Sequence, residues 1–370
     1  MKNYLYPILS ITLLSCSSVE VQEINDDIVE IDENIKFISY LENDWQKNLD
    51  ENPLFASYVG DKRANDKINS NSISQFNEER QSEIDSLNEL YEIDQSKLSE
   101  ENKLNFKLKE FGHKSSIGLT DFPIYYLRLN QRGGIQSFYE TGNRLVYNTK
   151  DDYFDWLSRL KQFPANIINS LEINKEGLSK GITQPKLITQ GVVTQIDAIL
   201  NSNIENNPYL KVFLEADESI VSVDEKNQLI QEAKDLIINE INPAYEELNL
   251  FLKNEYLTKS RDSIGIGDVP GGRKHYEYLA KYFTTTNLTP DEIHQIGLDE
   301  IERIRSEMNE IIKQVNWDGD FNSFLDYLRT SPRFYYDNSE DLFNAYLIMS
   351  KTIDPLLTKI FKVFPRAPYG

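Results

Sequence analysis

Hydrolytic chemistry needs either a metal ion gripped by imidazoles and carboxylates or a nucleophile activated by a neighbouring base. The 370-residue chain has three histidines, His113, His275 and His294. No two stand one helical turn apart, and no His-Glu-x-x-His occurs. A site made from His275, Glu277 and a distant carboxylate would rest on a single imidazole. Each ring also has a structural reading. His113, after Phe111-Gly112, is expected at a helix end, where a partly protonated ring meets the last carbonyls. His275 and His294 are expected early in helices as partly buried, hydrogen-bonded rings. No catalytic residue and no metal ligand is assigned on these grounds.

Gly177-Leu178-Ser179-Lys180-Gly181 fits the G-x-S-x-G form of a nucleophile elbow, which works only where a strand delivers the serine to a sharp turn. Phe163 to Glu176 reads as an amphipathic helix, so the glycines more simply end one helix and allow a turn into the next. Gly265, Gly267, Gly271 and Gly272 match neither a dinucleotide fingerprint nor a phosphate loop. Phe334, Tyr335 and Tyr336 could line a substrate groove, although aromatic residues in a helical protein are more often core.

Cys16, the only cysteine, excludes intrachain disulfides and multi-thiolate metal sites. It ends a stretch with the plan of an export signal: Lys2, an apolar run from Leu5 to Leu14, then Leu13-Leu14-Ser15-Cys16. The run is shorter than the ~20 residues needed to span a bilayer. Leu-Leu-Ser-Cys resembles a lipobox, which makes Cys16 the expected site of lipidation and the lipid membrane an expected partner. An ordinary signal peptide is the alternative. Residues 1–16 are thus read as signal, 17–30 as a polar tether and 31–370 as the folded part of an exported cell-envelope lipoprotein.

These features must be carried by helices. From about Ile31 onward apolar residues recur at helical spacing and period-two alternation is scarce, so the fold is expected to be mostly α, a large multi-helix array. Ser222-Val223-Asp224-Glu225 and Thr289-Pro290-Asp291-Glu292 are capping boxes that open strong amphipathic helices. Pro243 predicts a kink or break near Asn242. Further helices are expected at about 32–49, 73–93, 97–111, 150–162, 165–178, 185–201, 273–283, 320–329 and 339–362. Near residues 122–147 the pattern changes, and Ile124 to Leu129 followed by Asn130-Gln131-Arg132-Gly133-Gly134 predicts an extended strand and a tight turn. With 60 acidic against 39 basic residues the net charge is −21, which repels polyanions and argues against nucleic acid.

Four segments carry a family resemblance: Asn130 to Gly134, Tyr282 to Leu298, Leu328 to Phe334 and Phe364 to Tyr369. Together they resemble the bacterial domain of unknown function 885. The resemblance implies a helical, gluzincin-like zinc metallopeptidase relative, often exported or lipid-anchored, whose zinc-binding helix follows the Pro-Arg-Ala-Pro-Tyr segment. On that reading residues 31–370 are the N-terminal part, the zinc-motif portion is absent, zinc belongs to the full-length family member and no cofactor to this chain. The isolated chain is then expected not to hydrolyse peptides and to aggregate. Gln131, Gly133, Gly134 and Tyr276 are the candidate substrate-binding residues, with a peptide laid along the expected strand. The alternatives are a non-catalytic helical lipoprotein acting as a binding module or scaffold, and a serine esterase built on Ser179.

Overall fold

Short polar side chains set the first helices. Asp32, Ser72 and Ser99 each accept a hydrogen bond from a first-turn amide, opening α1 (Glu33–Glu51), α3 (Ile73–Tyr91) and α4 (Glu100–Leu119). The short α2 (Pro53–Tyr58) follows α1. The computed structural model describes residues 32–364 and Arg366; the expected export signal, Cys16, the expected tether and most of Phe364 to Tyr369 lie outside the described residues. Phe37, Tyr40, Leu90, Ile93, Leu98 and Phe106 form a small core between α1, α3 and α4.

The larger core surrounds a long central helix. After α5 (Tyr139–Arg144), α6 runs without interruption over Lys150–Ser179. The break expected at 162–165 does not occur, although Pro164 sits inside the helix. Phe163 and Ile167, on either side of it, are fully buried. Each such side chain contributes about 1.5–3 kcal/mol, enough to offset one lost backbone bond. Around α6 lie α7 (Lys186–Leu200), α8 (Lys211–Leu214), α9 (Val223–Leu236), α10 (Asn242–Phe251) and α11 (Leu257–Lys259). The Ser222–Glu225 capping box is formed. The last three helices follow one another through two wider π-turns, Ile237–Ile241 and Leu252–Tyr256. The first takes the place of the expected break at Pro243. The Asn242 amide reaches back to the Ile237 carbonyl, so the bonding register changes just before proline removes its donor.

No strand is found among the described residues; the bridges Asn130–Gly133 and Pro185–Arg261 are isolated. The expected strand at Ile124 to Asn130 is instead a 3-10 turn over Ile124–Leu127. Burial explains the difference. Consecutive Tyr126 and Leu127 are both buried, together with Leu129, a pattern that a strand with one solvated face does not give. The tight turn at Asn130–Gly133 is present, with the Gly133 amide donating to the Asn130 carbonyl at 3.4 Å.

The chain divides into two units at Tyr282 and Phe283, with α12 (Gly272–Thr284) running across that point. The second unit contains α13 (Pro290–Gln314), α14 (Phe321–Thr330) and α15 (Ser339–Leu357). The Thr289–Glu292 capping box is formed. Of the apolar face of α13, Ile312 is buried, whereas Ile296, Ile301, Ile304, Met308 and Ile311 are exposed. Phe334, Tyr335 and Tyr336 are also exposed, so they are not core. No helix among the described residues is long and apolar enough to cross a membrane.

Candidate functional site

A groove in the first unit is walled by α3, the 124–138 segment and α6. Its main cavity, about 530 Å³, falls within the range of about 300–1,000 Å³ typical of small-molecule sites. Apolar lining comes from Phe76, Ile124, Leu127, Leu129, Ile135 and Phe138, and polar lining from Asn71, Arg128, Ser170 and Asn174. Phe76, from α3, organises one wall. The Tyr125 ring stacks on it at 5.2 Å, and the Arg128 guanidinium lies over it at 4.3 Å.

Arg128 makes no side-chain hydrogen bond or ion pair among the described residues. It stays solvent-accessible, yet desolvation by the packed wall pushes its pKa below the usual arginine value, partly offset by Glu79. It remains a cation. Two amides across the cavity are also incompletely bonded. Asn174 is buried and its Nδ2 donates to the Ser170 carbonyl at 2.7 Å, while its Oδ1 has no partner. Asn71 donates to the Asn166 carbonyl at 3.0 Å and the Ser170 hydroxyl at 2.8 Å, and its Oδ1 is likewise buried without a partner. Leaving such an acceptor unbonded costs about 1–3 kcal/mol. The cavity therefore offers one cation in an apolar frame, with two unbonded amide oxygens buried on residues of its wall.

Phe76, Ile124, Tyr125 and Arg128 also line a neighbouring cavity of about 230 Å³, to which Glu51, Glu79 and Glu83 contribute carboxylates. Arg80 lines it too, but pairs with Asp121 at 2.8 Å and donates to the Thr120 hydroxyl at 2.7 Å. Farther along, a third cavity of about 200 Å³ contains His113. His113 lies within α4 rather than at its end, because the helix continues to Leu119. Its Nδ1 is 2.7 Å from the Glu83 carboxylate, which can only accept, so Nδ1 carries a proton. Its Nε2 is 2.8 Å from the Tyr40 hydroxyl.

The other expected positions are dispersed. Gly133 and Gly134 line the main cavity. A Cβ at Gly134 would come within 2.6 Å of the Gln136 side chain, so the close approach there suits glycine. Gln131 is exposed, and its carbonyl accepts from Gln195 Nε2 at 2.9 Å on the far side of the turn. Tyr276, on α12, is half exposed and does not line this cavity. His275 is buried but stacks on Phe122 at 4.7 Å, with no hydrogen bond to its ring among the described residues; burial lowers its pKa. His294 is exposed on α13, contrary to the expected partial burial. Ser179 closes α6, with its hydroxyl donating to the Glu176 carbonyl at 2.7 Å, and Gly181 turns the chain at φ +71°. A helix rather than a strand delivers this serine, so the elbow geometry is missing.

The described residues do not fit a zinc ion. No group of three or more His, Cys, Asp or Glu among them could hold a metal. The nearest approach, Asp44, Glu83 and His113, is already committed: both His113 nitrogens are engaged, and Asp44 pairs with Lys109.

Sequence reasoning overlooked Arg128, Asn71 and Asn174, which come from three separate elements. A cation between Leu127 and Leu129 in an otherwise apolar run was the one available signal.

No curated protein matches the chain. A crystal structure of "the putative lipoprotein from Colwellia psychrerythraea" superposes with a TM-score of 0.77 at 22% identity, over 91% of this chain and 62% of that one. A second, "a putative lipoprotein of unknown function from Shewanella oneidensis", gives 0.64 at 15% identity, over 90% of this chain and 59% of that one. The chain thus spans about three-fifths of the length of these two structures, and at such identities the likeness is one of fold. The family model described as "Bacterial protein of unknown function (DUF885)" matches residues 53–370, and the chain belongs to that family.

Proposed function

We propose that the first unit is the ligand-binding body of an exported lipoprotein, held at a membrane through acylated Cys16, and that its groove receives peptide-sized molecules. The observation that carries this reading is the 530 Å³ cavity, whose lining combines apolar side chains with an unpaired arginine. The Leu-Leu-Ser-Cys sequence and the description of both structural neighbours as lipoproteins support the tether. Several acyl chains on one cysteine hold a protein at a membrane far more firmly than one. The gluzincin-like resemblance favours a peptide as the ligand and gives the groove the role of substrate recognition in a zinc peptidase-like protein. Hydrolysis itself is assigned to none of the described residues.

The test uses the purified mature chain with short apolar peptides, measured by calorimetry with and without chelator. Binding that chelator leaves unchanged, without cleavage, is the expected result. Stoichiometric zinc with chelator-sensitive cleavage would overturn it. In cells, labelled palmitate should enter the wild-type chain and not Cys16→Ser.

A further inference from the structure

Resting on that reading of the groove, we infer that the main cavity is selective for a free carboxylate on a ligand that also carries an apolar side chain, which is the chemistry of an amino acid or the C-terminal residue of a peptide. Arg128 presents its guanidinium at the wall shared by the main cavity and its neighbour, with no acceptor among the described residues to satisfy it, in a chain with net charge −21. Guanidinium and carboxylate match as planar, two-bond partners. The apolar lining accepts a hydrophobic side chain.

Charge narrows the class further. The adjoining cavity carries Glu51, Glu79 and Glu83. A dianion such as phosphate would meet these carboxylates with a single cation in its favour, whereas a zwitterion places its ammonium toward them. Arg80 does not alter the balance, because Asp121 already neutralises it.

The experiment compares equilibrium binding of four probes to the mature chain: the tripeptide Ala-Leu-Phe, its C-terminal amide, its N-acetyl form and free phenylalanine. The free acid is expected to bind at least about tenfold more tightly than the amide, as loss of a charge-assisted pair implies. Arg128→Gln should abolish the difference between acid and amide. Thermal melts confirm that the variant is folded. Tighter binding of free phenylalanine than of the tripeptide would identify an amino acid as the ligand, and the reverse a peptide C-terminus. Equal binding of acid and amide by the wild type, which requires no variant, overturns carboxylate selectivity but leaves the binding groove standing. Failure of all four probes to bind overturns both.

Discussion

Arg159 and Arg128 belong to the same unit, one at the seam between the 53–67 segment and α6, the other in the cavity wall. Arg159 is 1% exposed, and its guanidinium donates to the Ser57 hydroxyl at 2.6 Å and to the carbonyls of Lys67, Pro53 and Ala64 at 2.9, 3.2 and 3.4 Å. Nearby, Asn65 donates to Asp155 at 2.9 Å, and Lys62 pairs with the buried Asp152. Arg159, Lys62 and Asp152 all have their partners at the seam, so it acts as a fastening. Arg128 has an aromatic face beneath it and no acceptor, although three glutamates stand in the adjoining cavity. Evenly distributed pairing would suggest charges placed for solubility or stability. The contrast between saturation at one place and deficiency at the other separates a structural arginine from one available to a ligand.

The contrast breaks most readily at the seam. Arg159→Met leaves three carbonyls and a hydroxyl short of a donor and should cost at least about 3 kcal/mol, read as a lower urea midpoint. If the loss is below about 1 kcal/mol, the seam is no fastening. Next in size is Asp152→Asn. Burial alone would raise the Asp152 pKa, but Lys62, the Thr149 hydroxyl and the amides of Thr149 and Asn148 hold it below the usual 3.8. A depressed folded-state pKa stabilises above the unfolded value and loses that contribution as pH falls through the folded one. The variant should therefore be less stable by about 1–2 kcal/mol at neutral pH. That gap should narrow below about pH 4, as paired urea titrations would reveal. The smallest effect belongs to Arg128→Met, expected to change stability by less than about 0.5 kcal/mol in either direction. A large loss would make Arg128 another structural group and erase the comparison.

Much of the helical order was legible because local chemistry decides it. Ser222 and Thr289 each stand three residues before a glutamate, and both capping boxes form. The misreadings arise where packing overrules a local rule. Pro164 argued for two helices, yet burial on either side keeps α6 whole. Ile124 to Leu129 has the composition of a strand, but with no partner strand beside it among the described residues the segment curls into a 3-10 turn that buries Tyr126 and Leu127. The candidate site was half visible. Gly133-Gly134 announced a turn, whereas the polar partners across the cavity, Asn71 and Asn174, lie about a hundred residues apart in sequence, and no spacing rule links them.

The paired π-turns between α9 and α11 have a consequence for reading helical phase. Leu229 and Tyr256, both fully buried in the same core, stand 27 residues apart. At about 3.6 residues per revolution an unbroken α-helix would rotate them to opposite sides. Each π-turn absorbs about one surplus residue, and two of them restore nearly whole revolutions. The offsets thus work as a matched set: converting one of them to ordinary α-helix at constant length would swing everything beyond it roughly a quarter-turn away from the interior, and converting both would carry the far end to the opposite side, whereas deleting one residue from each would leave an ordinary helix with its ends still aligned.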